Sequence, residues 1–269
     1  MPELPEVETI KNQLAPHLTG RTFKSIKIYD TRPLGNLSEK EFGRRLTGQK
    51  ITGLSRCGKY ILIHLSGGSA LVVHLRMTGS LLWNPRSAEP FTRAEFFFEN
   101  KGRLVFTDIR RFGTLSIVED TCKIKDRLGI DPLDTCFTPQ ALQKLLSGRK
   151  SPVKAVLLEQ ELIAGIGNMY ADEALFAARI HPAIPAQSLS TGEVKRLHKA
   201  IQDVLKKAIR NKGASVRNYR CPDGQAGRAH EEFCVAHRGG EPCPRCGTAI
   251  ARAVIRQRGT YYCPSCQPV

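Results

Sequence analysis

Four cysteines near the C-terminus constrain this chain more than any other feature. Cys243-Pro244-Arg245-Cys246 and Cys263-Pro264-Ser265-Cys266 repeat one C-x2-C pair with sixteen residues between them. Each pair can place two thiolates on one tetrahedral ion, and the spacer suits a hairpin, so the pattern predicts a zinc ribbon. Four thiolates leave no open position for an activated water, which makes the expected zinc ion structural. Cys57, Cys122, Cys136, Cys221 and Cys234 lack ligand spacing and are expected to be structural or incidental. The count of nine is odd and no export signal is visible, so reduced thiols are expected instead of a disulfide framework.

Lysine and arginine number 41 against 25 acids, a net charge of +16. From Lys206 to Val269 twelve basic residues face four acidic ones, so half of the excess lies in a quarter of the chain. That asymmetry calls for a polyanionic partner. A membrane surface would need a basic amphipathic helix or a lipidation signal, and neither is visible. No run of about 18 apolar residues exists, and Met1-Pro2-Glu3-Leu4-Pro5-Glu6 is no signal peptide, so a cytoplasmic protein without a membrane span is expected.

The hydrophobic pattern changes along the chain. Residues 5 to 17 read as a helix with Val7, Ile10 and Leu14 on one face. From 21 to 118 short β-like runs dominate, at 22–29, 60–65, 70–75, 94–98 and 103–106, separated by glycine turns. Such spacing predicts a β-sandwich or barrel. Turn formers at Gly129-Ile130-Asp131-Pro132 break the pattern, and helical periodicity follows, clearest from Glu193 to Arg210 with Val194, Leu197, Ile201, Val204, Leu205 and Ile209. Gly213 to Gly227 is polar, basic and glycine-containing, a mobile loop by composition. The expected class is α+β, with an N-terminal helix and β-sandwich domain over 1–132, a helical domain over 133–228 and the zinc ribbon over 229–269.

Chemistry concentrates at the N-terminus. Removal of Met1 would free the Pro2 imino nitrogen. An α-amino group titrates at about 7.7 to 8, so roughly a third is neutral and nucleophilic near pH 7.5, against about 0.1% of an ordinary lysine. A secondary amine condensed with a sugar aldehyde gives an iminium that cannot lose its charge, which is an electron sink for elimination. Glu3 beside it can move protons. Glu6 and Glu8 can serve likewise or act as dipole-compensating surface acids, a role that suits Glu8 better. From the residue alone, Pro2 reads first as a helix-start proline.

Several separated segments resemble one family, the formamidopyrimidine-DNA glycosylases. They are Met1-Pro2-Glu3-Leu4-Pro5-Glu6-Val7-Glu8-Thr9, Gly58-Lys59-Tyr60, the stretch from His74 to Leu81, Asp108-Ile109-Arg110-Arg111-Phe112-Gly113, the stretch from Gly165 to Glu173, and the four-cysteine ribbon. The resemblance implies a bifunctional DNA glycosylase and AP lyase of base excision repair, acting on duplex DNA with oxidised purines (8-oxoguanine, formamidopyrimidines) or abasic sites. It implies a Pro2 Schiff base, Glu3 as proton donor, β,δ-elimination assisted by Lys59 and Arg258, and extrusion of the damaged nucleotide. Met77, Arg110 and Phe112 would fill the vacated space. Arg149 and Lys154, before the first motif helix, would contact phosphates, and Asn168 would do so with backbone amides in a helix-two-turns-helix motif. Arg217 is the expected base contact of a lesion-recognition loop over 213–227. The resemblance also implies one structural Zn2+ on Cys243, Cys246, Cys263 and Cys266, a monomer, and DNA in a basic cleft between the domains.

One departure stands out. Where the family often has Lys-His-Thr-His, this chain has Pro90-Phe91-Thr92-Arg93, which leaves no DNA-binding role at 91 and Arg93 as a substitute cation. Two rivals stay open at the level of sequence. An endonuclease VIII-like glycosylase for oxidised pyrimidines shares the superfamily, and a non-enzymatic zinc-ribbon DNA-binding protein explains charge and cysteines but leaves Pro2 and Glu3 idle.

Overall fold

Pro5 in the first turn presets the backbone of helix α1 (Leu4–Leu18). The Glu6 carboxylate closes its N-terminus by accepting the Glu3 backbone N–H at 2.8 Å. Val7, Ile10, Leu14 and Leu18 follow at three- and four-residue steps and are all fully buried. The computed structural model describes residues 1–269 except Asn36.

The chain divides into two compact units, and each is described by itself. The first joins Met1–Asp126 to a distant segment, Asn211–His230. After α1 it contains β1 (Phe23–Ile28), α2 (Glu39–Leu46), β2 (Ile51–Cys57), β3 (Tyr60–Leu65), β4 (Ala70–His74), β5 (Gly79–Trp83), β6 (Thr92–Phe98), β7 (Arg103–Asp108), β8 (Thr114–Val118) and the short α3 (Cys122–Lys125). Two four-stranded antiparallel sheets run β1-β6-β7-β5 and β2-β3-β4-β8. One apolar cluster unites residues of both sheets, Phe23, Phe96, Leu104 and Phe106 with Ile61, Ile63, Leu71, Val73 and Leu115, and takes in the buried face of α1. This is the expected sandwich. Strands β2 and β5 carry too many small or polar residues to read as strands by alternation, whereas β8 does alternate but is only five residues long.

The segment Asn211–His230 falls in the sandwich unit, whereas the expected domain bounds put most of it in the helical domain over 133–228. Tyr219 and Cys221 join the sandwich core, Trp83 donates its backbone N–H to Pro222 at 2.8 Å, and Ala214 and Arg228 bridge across the segment's base. The 213–227 loop is thus anchored at both ends and at two interior side chains. Its composition hid this because single buried residues leave no period.

The second unit holds Arg127–Arg210 and Glu231–Val269. Its elements are α4 (Pro139–Leu146), α5 (Val153–Leu158), α6 (Asn168–Ala178), α7 (Thr191–Arg210) and the hairpin β9 (Ala251–Ile255) and β10 (Arg258–Tyr262). In α7 Val194, Leu197, Ile201 and Leu205 are buried as the periodicity predicts, while Val204 and Ile209 lie at the edge of that stripe. No described helix is long and apolar enough to cross a membrane.

Candidate functional site

Pro2 and Glu3 precede α1 and are both buried, Glu3 only 3% exposed. Glu6 organises this end of the molecule. Fully buried, it accepts the Glu3 N–H on one carboxylate oxygen and the Ala214 N–H on the other at 2.7 Å. It therefore ties the start of α1 to the start of the 213–227 segment. Gly213 permits the approach: its φ is +77°, and a Cβ there would stand 2.8 Å from Glu6 Cγ. Glu8, by contrast, is a flank residue whose carboxylate takes Lys11 at 2.6 Å and Arg56 at 2.8 Å. Arg56 also donates to the Gly58 carbonyl at 3.0 Å, which links α1 to the β2–β3 turn that presents Lys59. Lys59 is 7% exposed. Near it, burial and the charges of Arg76 and Lys59 push the His74 imidazole down to about 4, so it is neutral at pH 7 and accepts the Arg76 N–H at 3.0 Å.

The structure brings Met77, Arg110 and Phe112 together. The Arg110 guanidinium lies over the Phe112 ring, 4.8 Å from its centroid, and reaches the Met77 sulfur at 2.9 Å. All three side chains are exposed. Their loops are held from beneath by Asp108, which is fully buried. Its carboxylate accepts the Thr78 hydroxyl, the Gly113 N–H at 2.7 Å and the Arg110 N–H at 3.2 Å. Gly113 is required for that approach, because a Cβ would meet Phe106 Cζ at 2.7 Å. Arg93 is no substitute surface cation. Its side chain is buried, with Nε on the Asp108 carbonyl at 2.8 Å and Nη1 3.9 Å from Asp30, which also pairs with Arg111.

In the second unit Gly165 (φ +91°) and Gly167 make the turn before α6, and Gln160 pins it by donating to Ile166 O and accepting from Gly165 N. Asn168 opens the helix, with its side-chain amide on the Gly259 carbonyl at 2.8 Å. Lys154 departs from the expected phosphate contact. It is fully buried, and its ammonium meets Asp172 at 2.7 Å, Thr260 Oγ1 at 2.9 Å and the Gly259 carbonyl at 3.0 Å. Two of its hydrogens go to the β9–β10 hairpin while its charge faces Asp172, so Lys154 holds that hairpin. Arg258 is the first residue of β10 and is exposed beside a tip formed by Arg256 and Gln257, both with positive φ. Arg149 is 40% exposed, donates to Leu145 O and stands 3.8 Å from Glu159. Arg217 is exposed.

The side-chain sulfurs of Cys243, Cys246, Cys263 and Cys266 all lie within 4.8 Å of one another. The Cys243–Cys266 and Cys246–Cys263 sulfurs are 3.9 and 3.4 Å apart. That is too long for disulfides and close to the roughly 3.8 Å edge of a tetrahedron with Zn–S of about 2.3 Å. Both pairs form the same turn, with Gly247 N on Cys243 O and Gln267 N on Cys263 O at 2.9 Å each. The residues fit one structural zinc ion.

Sequence reasoning passed over Asp108, Thr78 and Asp172, and gave Glu6 only an open role. Glu6 had a signal, since an acid three residues after a helix start is half of a capping box. The others act through contacts between separate elements.

Comparison with known proteins matches three stretches of the chain. Residues 1–115 match the model of the formamidopyrimidine-DNA glycosylase N-terminal domain, 128–220 that of the formamidopyrimidine-DNA glycosylase H2TH domain, and 240–269 that of a zinc finger found in FPG and IleRS. The chain is 44% identical over 271 residues to the formamidopyrimidine-DNA glycosylase of Chloroflexus aurantiacus, covering 99% of this chain and 98% of that one. It is similar to the crystal structure of the MutM (Fpg) protein from Thermus thermophilus, at a TM-score of 0.89 and 39% identity over 99% of this chain and 98% of the other. It is also similar to the Lactococcus lactis Fpg (MutM) in complex with Fapy-dG-containing DNA, at a TM-score of 0.90 and 32% identity over 99% and 100%.

Proposed function

We propose, from the premise that this chain belongs to the formamidopyrimidine-DNA glycosylase family, that it is a DNA-repair glycosylase and AP lyase that excises oxidised purines from duplex DNA. Once Met1 is removed, the Pro2 nitrogen attacks C1′ of the damaged nucleoside. The bond from C1′ to the base breaks, and Glu3 supplies the proton that assists sugar opening and base loss. The product is an iminium at C1′. It accepts the electrons of β-elimination, which expels the 3′ phosphate, and δ-elimination then expels the 5′ phosphate. Lys59 serves elimination and phosphate contact, and Arg258 assists the second expulsion. The result is a one-nucleotide gap with phosphate ends.

The observation that carries this reading is the assembled set of Met77, Arg110 and Phe112. A cation stacked on an outward aromatic, beside an outward thioether, suits insertion into a base stack. Arg110 faces the orphaned base and Phe112 wedges the step. Exposed arginines at 217 and 258 and the half-buried Arg149 supply further DNA contacts, and Asn168 does so at the turn before α6. A monomer acting in the cytoplasm on nucleoid DNA fits the net charge of +16.

Borohydride trapping on a duplex with one 8-oxoguanine opposite cytosine tests the assignment. Wild type forms a covalent adduct, Pro2→Gly forms none, and Glu3→Gln fails on the intact lesion while it retains trapping on a preformed abasic site. Absence of an adduct from processed, zinc-loaded wild type overturns the reading. An adduct formed only with thymine glycol moves the substrate to oxidised pyrimidines.

A further inference from the structure

The β6-β7-β5 order brings three loops to one end of the β1-β6-β7-β5 sheet. Gly79 pairs with Asp108 and Thr92 with Thr107, so the chain before β5, after β7 and before β6 emerges side by side. Half of the eight large hydrophobic side chains that stand exposed among the described residues lie on these loops: Met77 (44%), Ile109 (45%), Phe112 (52%) and Phe91 (52%). Each loop also holds one residue in the left-handed region, Arg76 at φ 51°, Phe91 at 59° and Arg111 at 60°.

Bulky L residues rarely adopt that conformation, and it persists where surrounding bonds impose it, most often at ligand contacts. At Phe91 the bonds are plain. Its carbonyl accepts the Asp108 N–H at 3.0 Å, the next residue's hydroxyl bonds Glu89 O at 2.7 Å, and Arg93 reaches the Asp108 carbonyl at 2.8 Å. The backbone that carries Phe91 is therefore bonded to the residue that organises the Arg110–Phe112 loop. An aromatic ring held outward in a strained conformation contributes little to the apolar core. Its surroundings are cationic, since Arg76, Arg110 and Arg111 are exposed. The acid of these loops, Glu89, is paired with Arg220 at 2.8 Å.

We propose that Phe91 is a further DNA contact, packing its ring on the sugar and base of a nucleotide beside the one that Arg110 and Phe112 replace, with Ile109 continuing the same apolar strip. The inference rests on the reading of Met77, Arg110 and Phe112 as the inserted set. It assigns apolar contact to a position where the sequence pattern left no DNA role.

The test is binding to a duplex with a tetrahydrofuran abasic analogue, by fluorescence anisotropy between about 50 and 200 mM salt, for wild type, Phe91→Ala and Phe91→Gly. Both variants lose about tenfold in affinity, as loss of an aromatic–nucleotide contact predicts. The slope of log affinity against log salt stays that of wild type, because no phosphate contact is lost. Phe91→Gly also keeps or raises Tm, because glycine accepts positive φ without strain. Affinity within twofold of wild type in both variants overturns the proposal. So does an affinity loss accompanied by a lower Tm in Phe91→Gly, which would make the ring a support of the fold. Wild type that neither binds this duplex nor forms the borohydride adduct overturns the proposed function instead.

Discussion

Lys154 and Asp172 meet at 2.7 Å inside the second unit, with side chains 0% and 1% exposed. Burial pushes the Asp172 carboxyl up to about 7, against the downward pull of Lys154 and of the Tyr261 N–H. Desolvation thus outweighs attraction, the usual balance for a buried pair. Its structural product is placement: Lys154 holds Gly259 and Thr260, and Asp172 holds Tyr261 N at 3.0 Å. Those three residues follow Arg258 directly.

Removing one partner is predicted to be far worse than removing both. Lys154→Met leaves a buried carboxyl without its cation, at a cost of about 3 to 5 kcal/mol. The double variant Lys154→Met/Asp172→Leu recovers much of that loss while the hairpin loses its fixed position. Denaturant unfolding of both variants, beside δ-elimination on a preformed abasic site, separates the two effects. A double variant with full δ-elimination would show that placement of the hairpin does not depend on the pair.

The same pair gives a pH dependence with a defined sign. The folded Asp172 value lies above the ordinary carboxylate range, so its contribution to stability is complete below about 4 and is lost as pH rises through about 7. Burial also raises Glu173, whose carboxylate accepts the N–H groups of Cys234, Val235 and Ala236. Between pH 6 and 8, Tm of wild type is expected to fall relative to that of Asp172→Asn, which has no charge to acquire. Parallel Tm curves for the two proteins would contradict this.

Glu6 predicts a separation of catalytic steps. Replacing it by alanine leaves the N–H groups of Glu3 and Ala214 buried without their acceptor, at about 1 to 3 kcal/mol each. The proposed proton donor and the 213–227 segment lose a shared anchor. Excision of 8-oxoguanine is therefore expected to slow more than strand cleavage at a preformed abasic site, which needs no base recognition. Equal slowing of both reactions in single-turnover assays would limit Glu6 to a structural role.

Legibility in the sequence followed periodicity and fixed spacing. The buried face of α1, most of the α7 stripe and the zinc tetrad could be read because each repeats at an interval set by a helix or an ion. Met77, Arg110 and Phe112 came from resemblance, and their contact is a fact of the fold. Lys154 was read as a phosphate contact because nothing local marks a buried lysine. Its acid lies eighteen residues away and its other partners more than a hundred. Asp108 was hidden similarly: Thr78 and Gly113 reach it from different strands' ends.

Metal removal supplies the last prediction. The ribbon's own apolar contacts are few, chiefly Phe176, Val235, Ile250 and the cysteines themselves. Without the ion, four thiolates within 4.8 Å would repel one another and must protonate or separate. The β9–β10 hairpin then loses its base, and Arg258 its position. The sandwich core contains none of these residues and keeps its own cluster. Chelation is expected to weaken duplex binding severely while near-ultraviolet signals from Trp83, which packs on the sandwich core, change little. Unchanged affinity after metal loss verified by elemental analysis would show that the ribbon does not depend on zinc for DNA contact. Loss of the Trp83 signal together with affinity would show that the ion supports the whole chain.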